Sequence, residues 1–101
     1  MLNQNNLTEL ERKALKLIIK KLYAEYGFSD VIADDLQEPM GLPNKHSLSG
    51  VISSLSKKGY IEIEDYNSGY NKHEFIHLTA EGSRFHPEHS IEVGVEYEEL
   101  N

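Results

Sequence analysis

The stretch NKHSLSGVISSLSKKGYI, residues 44–61, carries the clearest structural signals in this 101-residue chain. An asparagine at its start and a glycine after two lysines are typical boundaries of a helix. Between them, apolar residues recur at the i, i+3, i+4 and i+7 spacing of an amphipathic helix, at Leu48, Val51, Ile52 and Leu55. We therefore predict a helix over about 44–58.

The side of this helix opposite the apolar stripe consists mainly of small polar residues. Serine and glycine form helices less readily than the long residues that usually cover a solvated helix face. Small side chains also let another molecule approach closely, so we interpret this side as a contact surface. The alternative is a solvated face that is rich in serine. The residues concerned are His46, Ser47, Ser49, Gly50, Ser53, Ser54 and Lys57.

Residues 8–26 predict a first helix. Thr8 and Glu11 have the spacing of a capping box, and Gly27 is a typical helix end. The helix has two apolar faces, of which one covers the core. The second face covers either this chain or a partner subunit, and it consists of Leu15, Ile19, Leu22, Tyr23 and Tyr26.

The remaining segments predict a second helix, a hairpin and a C-terminal element. Val31, Ile32 and Leu36 suggest a short helix that begins at residue 29 or 30 and ends at Pro39. Apolar and polar residues alternate over 60–64 and 74–78, which predicts a β-hairpin with a long tip, followed by a helical turn over 79–85. The alternation over 91–97 predicts a third strand or a docked arm, and the alternative is a disordered acidic tail.

This order of elements resembles the winged helix-turn-helix superfamily, an α+β fold with three helices and a β-hairpin wing. Three local patterns resemble prokaryotic and phage regulators of the MarR-like and PadR-like families: LTELE at 7–11, LSKKGYI at 55–61 and IHLTAEG at 76–82. The resemblance covers residues 7–85. Outside it, residues 1–6 are expected to be a flexible N-terminus, and residues 86–101 an acidic C-terminal arm or an additional strand.

The resemblance implies a small DNA-binding transcriptional regulator. Its recognition helix, about 44–58, would enter the major groove of double-stranded DNA, with the wing, about 60–79, beside it. The implied contacts are Lys45, His46, Ser47, Ser49, Gly50 and Ser53 in the groove, Lys57 on phosphate, and Asn67, Ser68, Asn71 and Lys72 at the wing tip. Members of these families dimerise, and a homodimer of this chain would use Leu15, Ile19, Leu22, Tyr23, Tyr26, Ile91, Val93 and Val95.

Charge is distributed unevenly along the chain. The net charge is −7, yet residues 39–61 contain three lysines and no acidic residue. Residues 91–101 contain four glutamates and no basic residue. We therefore expect weak, salt-sensitive DNA binding restricted to one face. The acidic balance also supports an alternative, a winged helix that binds protein as an adaptor or inhibitor from a phage or mobile element, and a third hypothesis, DNA mimicry.

Several function classes have no support in the sequence. The chain contains no cysteine, and its histidines, including the pairs 73/77 and 86/89, do not form a zinc-binding pattern, so we expect no metal and no cofactor. It contains no glycine-rich phosphate loop, nucleophile elbow or HExxH motif, so we expect no catalytic residues and no enzyme activity. With neither a signal peptide nor a membrane-spanning run, we expect a cytoplasmic protein.

Overall fold

A computed structural model describes residues 6–22, 31–68 and 71–100, and for 66–68 and 71–73 it describes the backbone alone. The architecture is α+β, with helices packed against a three-stranded antiparallel sheet. The elements in chain order are α1 (Glu9–Lys20), β1 (Val31–Ile32), a 3₁₀ helix (Ala33–Leu36), α2 (Gln37–Met40), α3 (Lys45–Lys57), β2 (Ile61–Ser68), β3 (Asn71–Leu78), α4 (Ala80–Ser83) and α5 (Pro87–Val93).

The predicted capping box begins α1. The Thr8 hydroxyl accepts the amide of Glu11 at 3.1 Å, and the Glu11 carboxylate accepts the amide of Thr8 at 2.7 Å. Two otherwise unpaired amides at the helix start are thereby satisfied. The predicted helix extends to residue 26. Residues 21 and 22 continue α1 as a π-helical turn, and residues 23–30, including Gly27, lie outside the described part of the chain.

The prediction of one helix from residue 29 or 30 to Pro39 is wrong at its start, whereas residues 33–40 are helical. Val31 and Ile32 form β1, which pairs with β3 opposite Ile76 and Phe75. This pairing satisfies backbone groups along one edge of β3, an effect that apolar spacing within 29–39 does not reveal.

Proline does not end α2, contrary to the prediction. Pro39 is the third residue of this short helix, where its missing amide hydrogen leaves no intrahelical bond unmade. The helix ends instead at Gly41, whose φ of 68° lies in the left-handed region that glycine readily adopts.

The predicted hairpin is present, but its strands are longer than the sequence indicates. The sheet order is β1-β3-β2, and the β2–β3 register runs from Ile61 opposite Leu78 to Ser68 opposite Asn71. Two residues separate the paired strand ends, so the prediction of a long tip over 65–73 is wrong. Backbone pairing continues through polar residues that composition alone assigns to a turn.

The core lies between α1, α3 and the inner face of the sheet. Leu48, Ile52 and Leu55 of α3 are at most 3% exposed, whereas Val51 is only partly buried against them. This confirms the predicted apolar side of the helix. The other buried apolar residues are Leu7, Ala14, Leu15, Ile18, Leu22, Val31, Ala33, Leu36, Met40, Tyr60, Ile61, Ile76 and Phe85.

A tight junction joins the hairpin to α4. The Thr79 hydroxyl donates to the carbonyl oxygen of Gly59 at 2.6 Å and accepts the amide of Gly82 at 3.1 Å. Gly82 lies so close to Tyr60 that a Cβ at this position would collide with the Tyr60 carbonyl oxygen. The predicted helical turn over 79–85 is confirmed as α4, and the close approach requires a glycine within it.

The predicted C-terminal strand over 91–97 is wrong, because this part of the chain begins as a helix. Pro87 occupies the first position of α5, and the His86 ring nitrogen Nδ1 accepts the next two amides at 3.3 and 3.1 Å. Gly94 ends the helix with φ 76°. These local start and end signals outweigh the apolar alternation.

The C-terminal segment packs against the rest of the chain. Ser90 is fully buried, and its backbone carbonyl accepts the amide of Val95 at 2.9 Å. Beyond the helix, the amide of Glu98 donates to the carbonyl oxygen of Arg84 at 3.0 Å, and Leu100 packs against the core. Residues 86–100 therefore form part of the same packed unit as α4.

Candidate nucleic-acid interface

The buried stripe of α3 orients this helix, so that its opposite side faces away from the core. The Asn44 side chain accepts the amide of Ser47 at 2.9 Å, and this cap begins the helix. His46, Gly50 and Lys57 are all exposed, and their spacing places them in one row along the helix. We call these three residues the outward row.

Of the other groove-facing candidates, Ser53 follows the spacing of the outward row but is half-buried beside a cleft, whereas Lys45 and Ser49 lie to one side of the row. Lys45, Ser49 and Ser53 follow one another at i+4 spacing and line a cleft against the 3₁₀ helix and the hairpin. Ser47 is half-buried at the start of the helix. The structure therefore divides the predicted contact surface into an exposed row and a cleft lining that meet at Ser53, a division that sequence spacing alone does not give.

Gly50 differs from Gly82 in the space around it. A Cβ at Gly82 would collide with a neighbouring backbone, whereas a Cβ at Gly50 would meet nothing within 4 Å. Within the described residues, packing therefore gives no reason for glycine at position 50. Glycine inside a helix is less favourable than alanine by about 1 kcal/mol.

The lysines of α3 have different surroundings. Lys45 Nζ lies 3.4 Å from Asp34 Oδ2, in a pair whose side chains are 74% and 51% exposed. Such exposed pairs contribute at most about 1 kcal/mol, so this pair can open when another anion approaches. Lys58 Nζ is 2.7 Å from Glu11 Oε1, whose side chain is 3% exposed. Lys58 is therefore held by a buried carboxylate, whereas Lys57 lies exposed on the outward row.

Glu11 connects the start of α1 to the end of α3. Its carboxylate accepts hydrogen bonds from Ser54 and Lys58, in addition to the capped amide. Burial by itself raises the pKa of Glu11, but these hydrogen bonds and the charge of Lys58 outweigh burial and lower the pKa from 4.5 to about 2. The sequence interpretation identified only the capping role. The missed signal is the position of Glu11 on the buried side of α1, at helical spacing from Ala14 and Leu15.

The hairpin brings the predicted wing-tip residues together. Asn67 lies opposite Lys72, and Ser68 lies opposite Asn71, at the far end of the paired strands. Their side chains lie outside the described structure.

Nearer the base of the hairpin, the side chains of Glu62 and Glu64 both lie on its outer face. On the same face, His77 Nε2 is 2.9 Å from Glu64 Oε2. This outer face is acidic in its described part.

The predicted dimer residues do not share one surface. Leu15 and Leu22 are buried at 0% and 7% exposure, so their assignment to a dimer interface is wrong. Ile19 packs partly against the core, and Tyr23 and Tyr26 lie outside the described residues. The C-terminal candidates remain accessible to different extents: Ile91 is 78% exposed, Val93 is 38% exposed, and Val95 is half-buried.

Three of the described histidines, His77, His86 and His89, contact a carboxylate or cap a helix. His89 Nδ1 lies 2.9 Å from Glu92 Oε2, and His86 caps α5 as described above. In the described ranges, no group of three His, Asp or Glu side chains is arranged to hold a metal ion. The side chain of His73 is outside these ranges. Likewise, no helix described by the structure is long and apolar enough to cross a membrane.

The geometry defines an exposed helix face with one glycine and a lysine, on a helix that packs beside the hairpin of an α+β scaffold. Comparison with protein-family models, curated proteins and solved structures finds no match for this chain. The chemistry of the helix face is therefore the basis for assigning a function.

Proposed function

We propose that this chain is a winged-helix DNA-binding protein that inserts the outward row of α3 into the major groove. The main support for the proposal is an exposed glycine, Gly50, inside α3 at a position where the described packing does not require glycine. A residue without a side chain lets the helix backbone approach another surface closely. DNA fits that role, since a helix is narrow enough to enter its major groove, about 12 Å wide.

The distribution of charge supports the same proposal. Residues 39–61 are free of acidic side chains and include Lys57 on the outward row. The acidic remainder of the chain repels phosphate, so binding is confined to one face and depends strongly on salt. As in the regulators that the sequence resembles, the expected role is transcriptional regulation.

Gly50→Ala tests the proposal. We expect this substitution to raise the free energy of unfolding by about 0.5–1 kcal/mol, because alanine is the better helix former. We expect it also to weaken DNA binding about fivefold or more, because the added methyl group holds the helix away from the groove. Chemical denaturation measures the first effect, and fluorescence anisotropy of a labelled duplex measures the second.

Ser56→Ala is the matched control. It also replaces a weaker helix former in α3, but Ser56 lies away from the outward row, so DNA binding should not change. Wild-type binding is measured at low and moderate salt and should weaken steeply as salt increases. The absence of any anisotropy change at low salt, or equal binding by Gly50→Ala and wild type, would contradict the proposal.

A second candidate function is protein binding through α5 and the segment after it. Three large apolar side chains are exposed there: Ile91 (78%), Val93 (38%) and Tyr97 (46%). The proposed homodimer of the regulator would use the same surface. The acidic neighbours of these residues equally suit a basic protein partner, as in the adaptor or inhibitor hypothesis.

Light scattering across a range of concentrations tests self-association. A homodimer through α5 predicts that the apparent mass rises with concentration from 11.5 kDa toward twice that value. Ile91→Gln should keep the protein at the monomer mass. Leu10→Gln, at a 45% exposed position on α1, should behave as wild type. A wild-type protein that stays monomeric at all concentrations would contradict the homodimer.

A further inference from the structure

A cleft of about 290 Å³ lies beside α3, between this helix, the 3₁₀ helix and the hairpin. Its apolar lining comes from all three sides: Ala33, Leu48, Ile52 and Ile63. Its polar lining consists of Asp34, Lys45, Ser49, Ser53 and Glu74. Small-molecule sites combine an apolar lining with a few polar groups in this way, in volumes from about 300 Å³ upward. The α3 cleft is therefore large enough for a small ligand only.

The polar rim of the α3 cleft has an excess of carboxylates. Asp34 and Glu74 line it, and Lys45 is paired with Asp34. Asp65 lies directly opposite Glu74 in the β2–β3 register. Ile63 and Ile76, two residues nearer the hairpin base, form the corresponding pair on the same inward-facing side.

Like charges directly opposite each other on paired strands are destabilising. A cation bound near Glu74 would relieve the repulsion between this residue and Asp65. The described residues provide no group of three ligands for a metal ion, so the cleft does not suit a bare cation. Its apolar lining suits the body of an organic molecule instead.

We propose that the α3 cleft binds a small organic cation, a primary amine carried on an aromatic or short aliphatic body. The ammonium group lies at the rim near Glu74 and Asp34. The apolar body lies against Ile52 and Ile63. Because Ser49 and Ser53 line the cleft, a bound amine contacts α3 directly beside the outward row. The site does not depend on whether the outward row binds DNA.

Phenethylamine is the probe that tests this proposal. We expect its titration into ¹⁵N-labelled protein to give saturable shifts of the amide signals of Ser49, Ser53 and Glu74. A ligand of this size reaches a dissociation constant on the order of millimolar. Phenylacetate has a similar ring and side chain but the opposite charge, so it should give no saturable shifts at the same residues.

Glu74→Gln should weaken phenethylamine binding about fivefold to tenfold, because it removes one charged partner of the ammonium group. Glu62→Gln is the matched control, since it removes a carboxylate from the outer face of the same hairpin and should leave binding unchanged. Equal responses to phenethylamine and phenylacetate, or equal affinities of Glu74→Gln and wild type, would overturn the proposal. DNA is absent from these titrations, so their outcome is independent of the DNA-binding test.

Discussion

Replacing Glu11 by glutamine is expected to lower the free energy of unfolding by about 3 kcal/mol at neutral pH. Glutamine can still accept the Thr8 amide in the capping box, but it has no charge to pair with Lys58. Hydrogen bonds to a buried charge are among the stronger ones in proteins. Because small domains have only about 5–15 kcal/mol of stability, this loss would be large. Urea denaturation measures it.

The same residue predicts an acid-sensitive stability. The pKa of Glu11 is lowered from 4.5 to about 2 in the folded chain, so the unfolded chain binds the proton more tightly. The stabilisation is fully present above about pH 4.5 and is lost progressively as the pH falls toward 2, by about 3 kcal/mol in total. Glu11→Gln should remove this part of the pH dependence.

Glu9→Gln is the control for both measurements. Glu9 is an exposed acidic residue in the same first turn of α1, so its replacement should change stability by a few tenths of a kcal/mol. If the stability of Glu11→Gln falls between pH 4.5 and 2 as steeply as that of the wild type, the connection between α1 and α3 is not the source of the acid sensitivity.

Gly82→Ala is expected to destabilise the fold by about 3 kcal/mol or more. The added Cβ would collide with the carbonyl oxygen of Tyr60, which is main-chain and cannot rotate away. α4 would have to move from the start of the hairpin, and the hydrogen bond from Thr79 to Gly59 would be strained.

Thermal and urea denaturation of Gly82→Ala and Gly50→Ala provide a direct comparison. The two substitutions are chemically identical and both lie in helices, yet we expect opposite signs, because only Gly82 faces a neighbouring backbone. Equal stability of Gly82→Ala and wild type would show that α4 does not pack against Tyr60 as described.

Some elements could be predicted from the sequence because their causes are local. The capping box of α1 needs only Thr8 and Glu11, three residues apart, and α3 follows from one apolar stripe and its cap. The hairpin follows from alternation in two neighbouring segments. α5 has equally local signals in Pro87 and Gly94, and these outweigh the alternation over 91–97 that predicts a strand.

Other features were decided by contacts between distant parts of the chain. β1 could not be predicted from its own residues, because its partner strand β3 lies more than forty residues away in the sequence. The burial of Leu15 and Leu22 depends on what packs over α1, so periodicity could not separate core from interface. Likewise, periodicity placed Lys45 and Ser49 on the polar side of α3, but only the packed hairpin turned that row into a cleft.

The sequence by itself therefore determined the α+β class, the bounds of α3 and the segment in which the positive charge is concentrated, since each depends on residues within one or two helical turns or in one hairpin. The tertiary structure decided which polar residues of α3 face outward, which line the cleft, and which lysine pairs with Glu11. The physical reason is that burial and ion pairing depend on distances in space. In this chain, Glu11 and Lys58 are 47 residues apart in sequence and 2.7 Å apart in the fold.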